Sequence, residues 1–140
     1  MLNIEIREGY KNMDFERVTE MLSKTIWSPG IKIKDVKLGA KNSALVVGVF
    51  YDNIQIGYAR VVSDIIKFAY ISDVYVDENY RHNGIATKMM NYILSHKSMK
   101  KIFRWYLRSA ADELYKKVGF VYDTDPSKWM EIRLPNPYLK

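Results

Sequence analysis

Seven consecutive residues, Arg81-His82-Asn83-Gly84-Ile85-Ala86-Thr87, have the composition of an anion site. They follow the apolar run Val74-Tyr75-Val76 and precede a segment in which Met89, Ile93 and Leu94 mark one side of a helix. A strand, a polar turn and a helix start in that order leave the first helical N–H groups without partners inside the helix. Here those groups belong roughly to Gly84, Ile85, Ala86 and Thr87. They point together from the positive end of the helix dipole, where an anion gains several hydrogen bonds and the field at once. Gly84 has no side chain, so a diphosphate can approach the backbone closely, and Ala86 is small for the same reason. Arg81 adds a permanent charge in a bidentate fork, and Thr87 adds a hydroxyl. The pattern GxxxxGK[ST] of nucleoside-triphosphate loops is absent, and no GxGxxG follows a first strand, which sets aside both of those phosphate-binding folds. Taken alone, Arg-x-x-Gly-x-Ala at a helix start also describes a loop with a solvated arginine.

The rest of the chain bounds what can carry such a turn. It has 140 residues, 48% of them apolar and 27% charged, the size and balance of a single globular domain spanning 1–140. No apolar run reaches the roughly 18 residues that cross a membrane, and Met1–Tyr10 has no signal-peptide core, so the cytoplasm is the default compartment. There is no cysteine, which excludes disulfides, thiolate zinc sites and a cysteine nucleophile. The two histidines, His82 and His96, make no metal site by themselves, and no metal is expected. A formal charge of +6 favours an anionic partner without choosing among nucleic acid, a membrane surface and a phosphorylated cofactor.

The elements follow from periodicity and punctuation. A strand is expected over Leu2–Arg7, and a helix capped by Asp14 runs to about Lys24 with Phe15, Val18 and Leu22 inward. Trp27-Ser28-Pro29-Gly30 breaks the chain, and a short helix with Ile33, Val36 and Ala40 ends near Asn42. Ala44–Tyr51 and Ile54–Ser63 form a hairpin about Asp52-Asn53. A strand over Phe68–Val76, a helix over Ile85–His96, a strand over Ile102–Leu107 and a helix over Ala110–Val118 stopped by Gly119 come next. Phe120–Tyr122 and Met130–Leu134 are expected as final strands. The order predicts an α/β (α+β) fold, a mixed and mostly antiparallel sheet of six to seven strands flanked by helices on both faces.

With these elements in place, Ile71–Ala86 resembles the acetyl-coenzyme A signature of the GCN5-related N-acetyltransferase (GNAT) superfamily, a hydrophobic strand followed by Arg/Gln-x-x-Gly-x-Gly/Ala. Leu114-Tyr115-Lys116-Lys117-Val118-Gly119-Phe120 resembles that family's Tyr-x-x-x-Gly-Phe helix end, and Ile56-Gly57-Tyr58-Ala59-Arg60 resembles its third strand. The resemblance covers essentially the whole chain. It implies that the fourth and fifth strands splay and that the cofactor's pantetheine arm lies in the gap, bonded by main-chain groups at Val74 and Val76. It further implies a pyrophosphate on Arg81, His82, Asn83, Gly84, Ile85, Ala86 and Thr87, and Tyr115 near the cofactor sulfur. Many members have Gly at the position of Ala86, and many bond the pantetheine with Asn or Asp where this chain offers Ser109.

The activity implied is direct transfer of an acetyl group from acetyl-CoA to a primary amine of a small molecule or amino acid. Such a reaction needs a neutral amine, a donor for the thioester oxygen and an acid for the departing thiolate. Tyr115 is the candidate acid and Asp73 the candidate base, with an ion pair to Arg60 or Lys67 as the alternative role for Asp73. Trp27 and Tyr75 are candidates for the acceptor pocket, an aromatic face there being able to hold a cation. The competing function is an acetyl-CoA sensor without turnover. Neither a basic-aromatic RNA motif nor a recognition helix is present, so nucleic acid and membrane partners are not expected, and the chain is read as a monomer or homodimer.

Overall fold

The computed structural model describes residues 2–139. Its sheet has five strands in the order β1-β2-β3-β4-β5. Strands β1 (Ile4–Glu8), β2 (Leu45–Tyr51), β3 (Ile54–Ser63) and β4 (Ala69–Val76) pair antiparallel in succession. Strand β5 (Trp105–Tyr106) adds to β4 in parallel. Asp52 and Asn53 both take positive φ, 51° and 62°, which is the primed turn that matches strand twist and which these two residue types tolerate.

Alternation along the strands sends side chains to two cores. Val46, Phe50 and Tyr58 meet Phe15, Val18, Met21 and Leu22 of helix α1 (Phe15–Leu22) and Val36 and Ala40 of α2 (Ile33–Lys41). Leu45, Val47, Val49, Ala59 and Val61 face the other way, onto Ile85, Met89, Met90 and Ile93 of α3 (Ile85–Leu94) and Tyr115 of α4 (Asp112–Lys117). Helices therefore cover both faces, as expected. Met90, rather than the expected Leu94, joins the buried face of α3. Three fully buried side chains at this helix, Met89, Met90 and Ile93, each contribute on the order of 2 kcal/mol of burial. They fix the helix axis, and with it the direction in which its first amides point.

Two bulges adjust the phase. In β4, Ser72 pairs with Arg60 and Tyr75 with Tyr58, so Asp73 and Val74 together oppose Ala59, and Asp73 takes φ 57°. Ala69 and Ile71 precede the bulge and Val74 and Val76 follow it, all four on the α3 side, a spacing of two, three and two. The bulge thus places Asp73 on the α1–α2 side although simple alternation from Ile71 would not.

The sequence expectation fails at the C-terminal end. Six to seven strands were expected and five form, because neither Phe120–Tyr122 nor Met130–Leu134 becomes a strand. Residues 120–135 carry only a short 3-10 turn at Pro126–Lys128. Their apolar alternation is real, but alternation only names two faces; it does not supply the backbone partner that makes a strand, and residues 130–135 have no backbone hydrogen bond among the described residues. Strand β5 shortens from the expected Ile102–Leu107 to two paired residues, because β4 parts from it after Tyr70.

Candidate active site

Pairing between β4 and β5 stops after Ala69↔Trp105 and Tyr70↔Tyr106. Beyond it the strands part, and a cleft of about 1860 Å³ opens between Ile71–Val76 on one wall and Leu107–Ala111 on the other. The start of α3 closes one end and the loop between α1 and α2 borders the other. The bulge at Asp73 and Val74 lies in the stretch of β4 that β5 no longer pairs, and a bulge increases local twist.

At the α3 end the expected anion site is made of main chain. Gly84 is the N-cap, in the left-handed region at φ 72°, and supplies no capping side chain. The first helical bond runs from Lys88 N–H to the Gly84 carbonyl, and among the described residues the amides of Gly84, Ile85, Ala86 and Thr87 have no protein acceptor. A Cβ built on Gly84 meets nothing within 4 Å, so the space before these amides is open. Ile85 is buried and can reach a ligand only through its N–H, while Ala86 and Thr87 line the cleft.

The side chains around this turn are partly committed. Arg81 donates from Nε to the Val76 carbonyl at 2.9 Å, and its guanidinium lies 5.3 Å from the Tyr75 ring centre. That lays the arginine along the strand end with its remaining N–H groups turned to solvent, and it occupies one main-chain group expected to bond the pantetheine arm. Asn83 donates to the carbonyls of Tyr80 and Arg81 at 2.9 and 3.2 Å, so its side chain holds the turn. His82 is exposed with φ 67°. Val74, excluded from the β3 ladder by the bulge, lines the cleft wall with Val76.

The other end is built from side chains. Asp73 accepts from Arg60 Nε at 2.7 Å and from Trp27 Nε1 at 3.2 Å. The ion pair with Arg60 is thus realised, and each carboxylate oxygen of Asp73 is engaged by one donor. Lys67 takes no part in this pair among the described residues. Trp27 is half exposed at the cleft rim and Tyr75 half buried behind it. Below them the Tyr58 hydroxyl is buried with no hydrogen-bond partner, and burial followed by the nearby Asp73 charge pushes its pKa up.

Tyr115 stands between the two ends, buried in the α3 core with one side on the cleft. Burial raises its phenol pKa, and a hydrogen bond with the Ser109 hydroxyl pulls the other way, so the proton is retained at neutral pH. Ser109 Oγ itself accepts from the Ala111 amide at 2.9 Å and lines the cleft beside Tyr115.

Gln55 and Arg17, which brace the site together with Asp77, carried no sequence motif. Gln55 is fully buried, accepts from the Asp14 amide at 2.8 Å and donates to the Gly57 carbonyl at 3.0 Å. Arg17 donates to the Gln55 carbonyl at 3.0 Å and pairs with Asp77, joining α1 to the end of β4. Burial tends to raise the Asp77 carboxyl, but the Asn79 amide and Arg17 outweigh it and hold it below its ordinary range. The one available signal was Gly48, where a Cβ would stand 2.6 Å from Gln55 Nε2, yet a lone strand glycine does not reveal its neighbour.

Among the described residues no three His, Asp or Glu side chains stand close enough to hold a metal, and no helix is long and apolar enough to cross a membrane. The sequence pattern of the acetyltransferase (GNAT) domain matches residues 42–122. A protein of Porphyra purpurea named an N-acetyltransferase, ycf52, is 25% identical over 137 residues, covering 91% of this chain and 78% of its own length. A crystal structure from Xanthomonas campestris pv. campestris, assigned to the GNAT family, superposes with a TM-score of 0.92 at 29% identity over 100% of this chain and 99% of that one. A protein of Clostridium acetobutylicum described as an acetyltransferase and solved with acetyl-CoA shares the fold, with a TM-score of 0.70 at 22% identity over 93% and 96% of the two chains. The matched stretch contains β2 to β5, α3 and α4, hence both walls of the cleft and the amide turn, and the chain belongs to the GNAT family of acetyltransferases.

Proposed function

We propose that the protein transfers the acetyl group of acetyl-CoA directly to a primary amine of a small molecule or amino acid. The observation that carries this reading is the row of free amides at Gly84–Thr87 opening into the cleft between β4 and β5. Four convergent N–H groups, a helix dipole and Arg81 suit a diphosphate, and the open space at Gly84 leaves room for one. The cleft is long enough to run from that turn past Tyr115 to Trp27. Acetyl-CoA supplies an activated acyl group there, and the chain's own residues position and protonate.

The amine nitrogen forms a bond to the acyl carbon, and the bond from that carbon to sulfur breaks. Tyr115 gives its proton to the leaving thiolate, a transfer suited by a phenol near 10 and a thiol near 8.5 in their ordinary ranges. Asp73, braced by Arg60 and Trp27, draws the amine into place through its charge. The nitrogen's proton leaves to water, because both Asp73 oxygens already accept hydrogen bonds from Trp27 and Arg60.

That same commitment of Asp73 favours a second reading, an acetyl-CoA-binding sensor without turnover. Titration with coenzyme A followed by thiol release against a panel of amines separates them. Binding with release on at least one amine is expected. Binding with no release on any amine assigns the sensor, and no binding removes both.

A further inference from the structure

The C-terminal arm, residues 130–139, ends on the loop that carries Trp27. Asn136 Nδ2 donates to the Pro29 carbonyl at 3.3 Å, and its Oδ1 accepts from the Tyr138 amide at 2.7 Å. The Leu139 amide closes the same turn on the Asn136 carbonyl at 3.3 Å. Tyr138, half buried, lies against Gly30 and donates its hydroxyl to Asp35 in the first turn of α2. A Cβ built on Gly30 would stand 3.3 Å from Tyr138 Cβ, tighter than ordinary contact, and the φ of 77° there also favours glycine. The end of the arm thus touches the chain at Pro29, Gly30 and Asp35, within one short stretch.

The loop is pinned from the other side as well. Thr25 is buried, and its hydroxyl donates to the Leu22 carbonyl at 2.7 Å and accepts from the Ser28 amide at 3.1 Å. The Gly30 amide donates to the Ser23 carbonyl at 3.0 Å. Between these anchors Ile26 and Trp27 stand out along the cleft, 94 and 52% exposed. Little packing therefore fixes the Trp27 ring. One exposed hydrogen bond of 3.2 Å, from its Nε1 to Asp73, is too weak to hold an indole by itself, so the loop backbone must place it. Neither Asn136 nor Tyr138 lines the cleft, and any influence they have on the acceptor runs through that backbone.

We propose that Asn136 and Tyr138 are positioning residues for the acceptor. By clamping Pro29 and Gly30 they hold the Trp27 indole against Asp73 and so set the width of the acceptor end. The consequence for an amine rests on the acetyl-transfer reading, whereas the clamp itself does not.

Two measurements on the full chain separate a clamp from plain stabilisation. The first needs no substrate. In a nitrogen-15 spectrum the three tryptophans give three indole resonances, and Trp27→Phe identifies the one from Trp27. Asn136→Ala and Tyr138→Ala should each move that resonance toward its position in Asp73→Ala, where its acceptor is gone, and leave the Trp105 resonance in place. Hydrogen exchange at the Ser28, Gly30 and Ile31 amides should rise about tenfold while the amides of β2 stay protected. Tyr138→Phe keeps the ring on Gly30 and loses only the bond to Asp35, so it should move both readouts less than Tyr138→Ala. The second measurement is kinetic. In Asn136→Ala the amine KM should rise roughly fivefold with kcat and coenzyme A affinity unchanged. An unmoved Trp27 resonance in a variant whose thermal midpoint has fallen makes the tail merely structural and overturns the proposal. So does a wild-type amine KM in a variant whose resonance has moved. A wild type that turns over no amine removes the transfer reading alone, and the resonance and the exchange still decide the clamp.

Discussion

The two ends of the cleft are made of different material. At the start of α3 the binding groups are amides from one unbroken stretch, Gly84–Thr87, aimed by the buried face of a single helix. At the other end Trp27, Arg60, Asp73 and Arg133 come from a loop, two strands and the C-terminal arm. The first end can tolerate changes in most side chains, because the groups that bind are common to every residue. The second depends on each side chain and on every contact that places it. Such a division suits an enzyme that keeps one donor while its acceptor is set by a separate wall.

The comparison breaks first at the amide end. Gly84→Glu adds bulk and a negative charge where the diphosphate is expected, at a φ of 72° that other residues adopt poorly. Coenzyme A affinity should fall about 100-fold or more, roughly 2.7 kcal/mol, in a calorimetric titration. Unchanged affinity in a folded variant removes the anion site. Gly84→Ala is the milder control: the space is open, so only backbone strain remains and the loss should be much smaller.

Between the ends, Tyr115→Phe should lower kcat by about 100-fold while leaving coenzyme A affinity unchanged. The pH profile sharpens this. Burial raises the Tyr115 pKa, so the donor form persists to higher pH and kcat should decline only above the ordinary tyrosine value of ~10. That alkaline limb should vanish in the phenylalanine variant, and a wild-type profile there excludes Tyr115 as the acid.

The acceptor end should respond in stability before it responds in cofactor binding. Arg60→Ala leaves the Asp73 carboxylate, whose side chain is 10% exposed, without its charge partner. Because Arg60 itself is partly solvated, a destabilisation of about 1–3 kcal/mol is expected from thermal melts. Adding Asp73→Asn should recover most of it, and failure to do so would show that Arg60 acts through packing instead. Trp27→Ala should have the smallest effect, an increase in the amine KM of roughly fivefold, or about 1 kcal/mol, with coenzyme A affinity unmoved. A loss of coenzyme A affinity equal to the KM effect would erase the distinction between the ends.

Much of this arrangement is legible in the chain itself. Asp14 does cap α1, accepting from the Arg17 amide at 3.2 Å, and Asp52-Asn53 does turn the hairpin, because capping and turn chemistry are settled within a few residues. The amide turn is legible for the same reason. Asp73 was harder. Its neighbours Val74 and Val76 share a face by alternation, but the bulge that sets the strand's phase relative to Ile71 depends on how β3 pairs with it. Gln55 and the pairing of Arg17 with Asp77 were not legible, because a buried amide and an ion pair between positions 17 and 77 leave no periodic trace.

The sequence by itself determined the helix starts, the hairpin, the two-faced strands and the anion turn, all products of short-range geometry and hydrophobic period. Tertiary structure alone decided how far β5 pairs with β4, which partners hold Asp73, and that Met130–Leu134 stays out of the sheet. Those outcomes rest on edges and side chains distant in the chain. A strand's alternation names its faces, but only an available neighbour supplies the hydrogen bonds that make it part of a sheet.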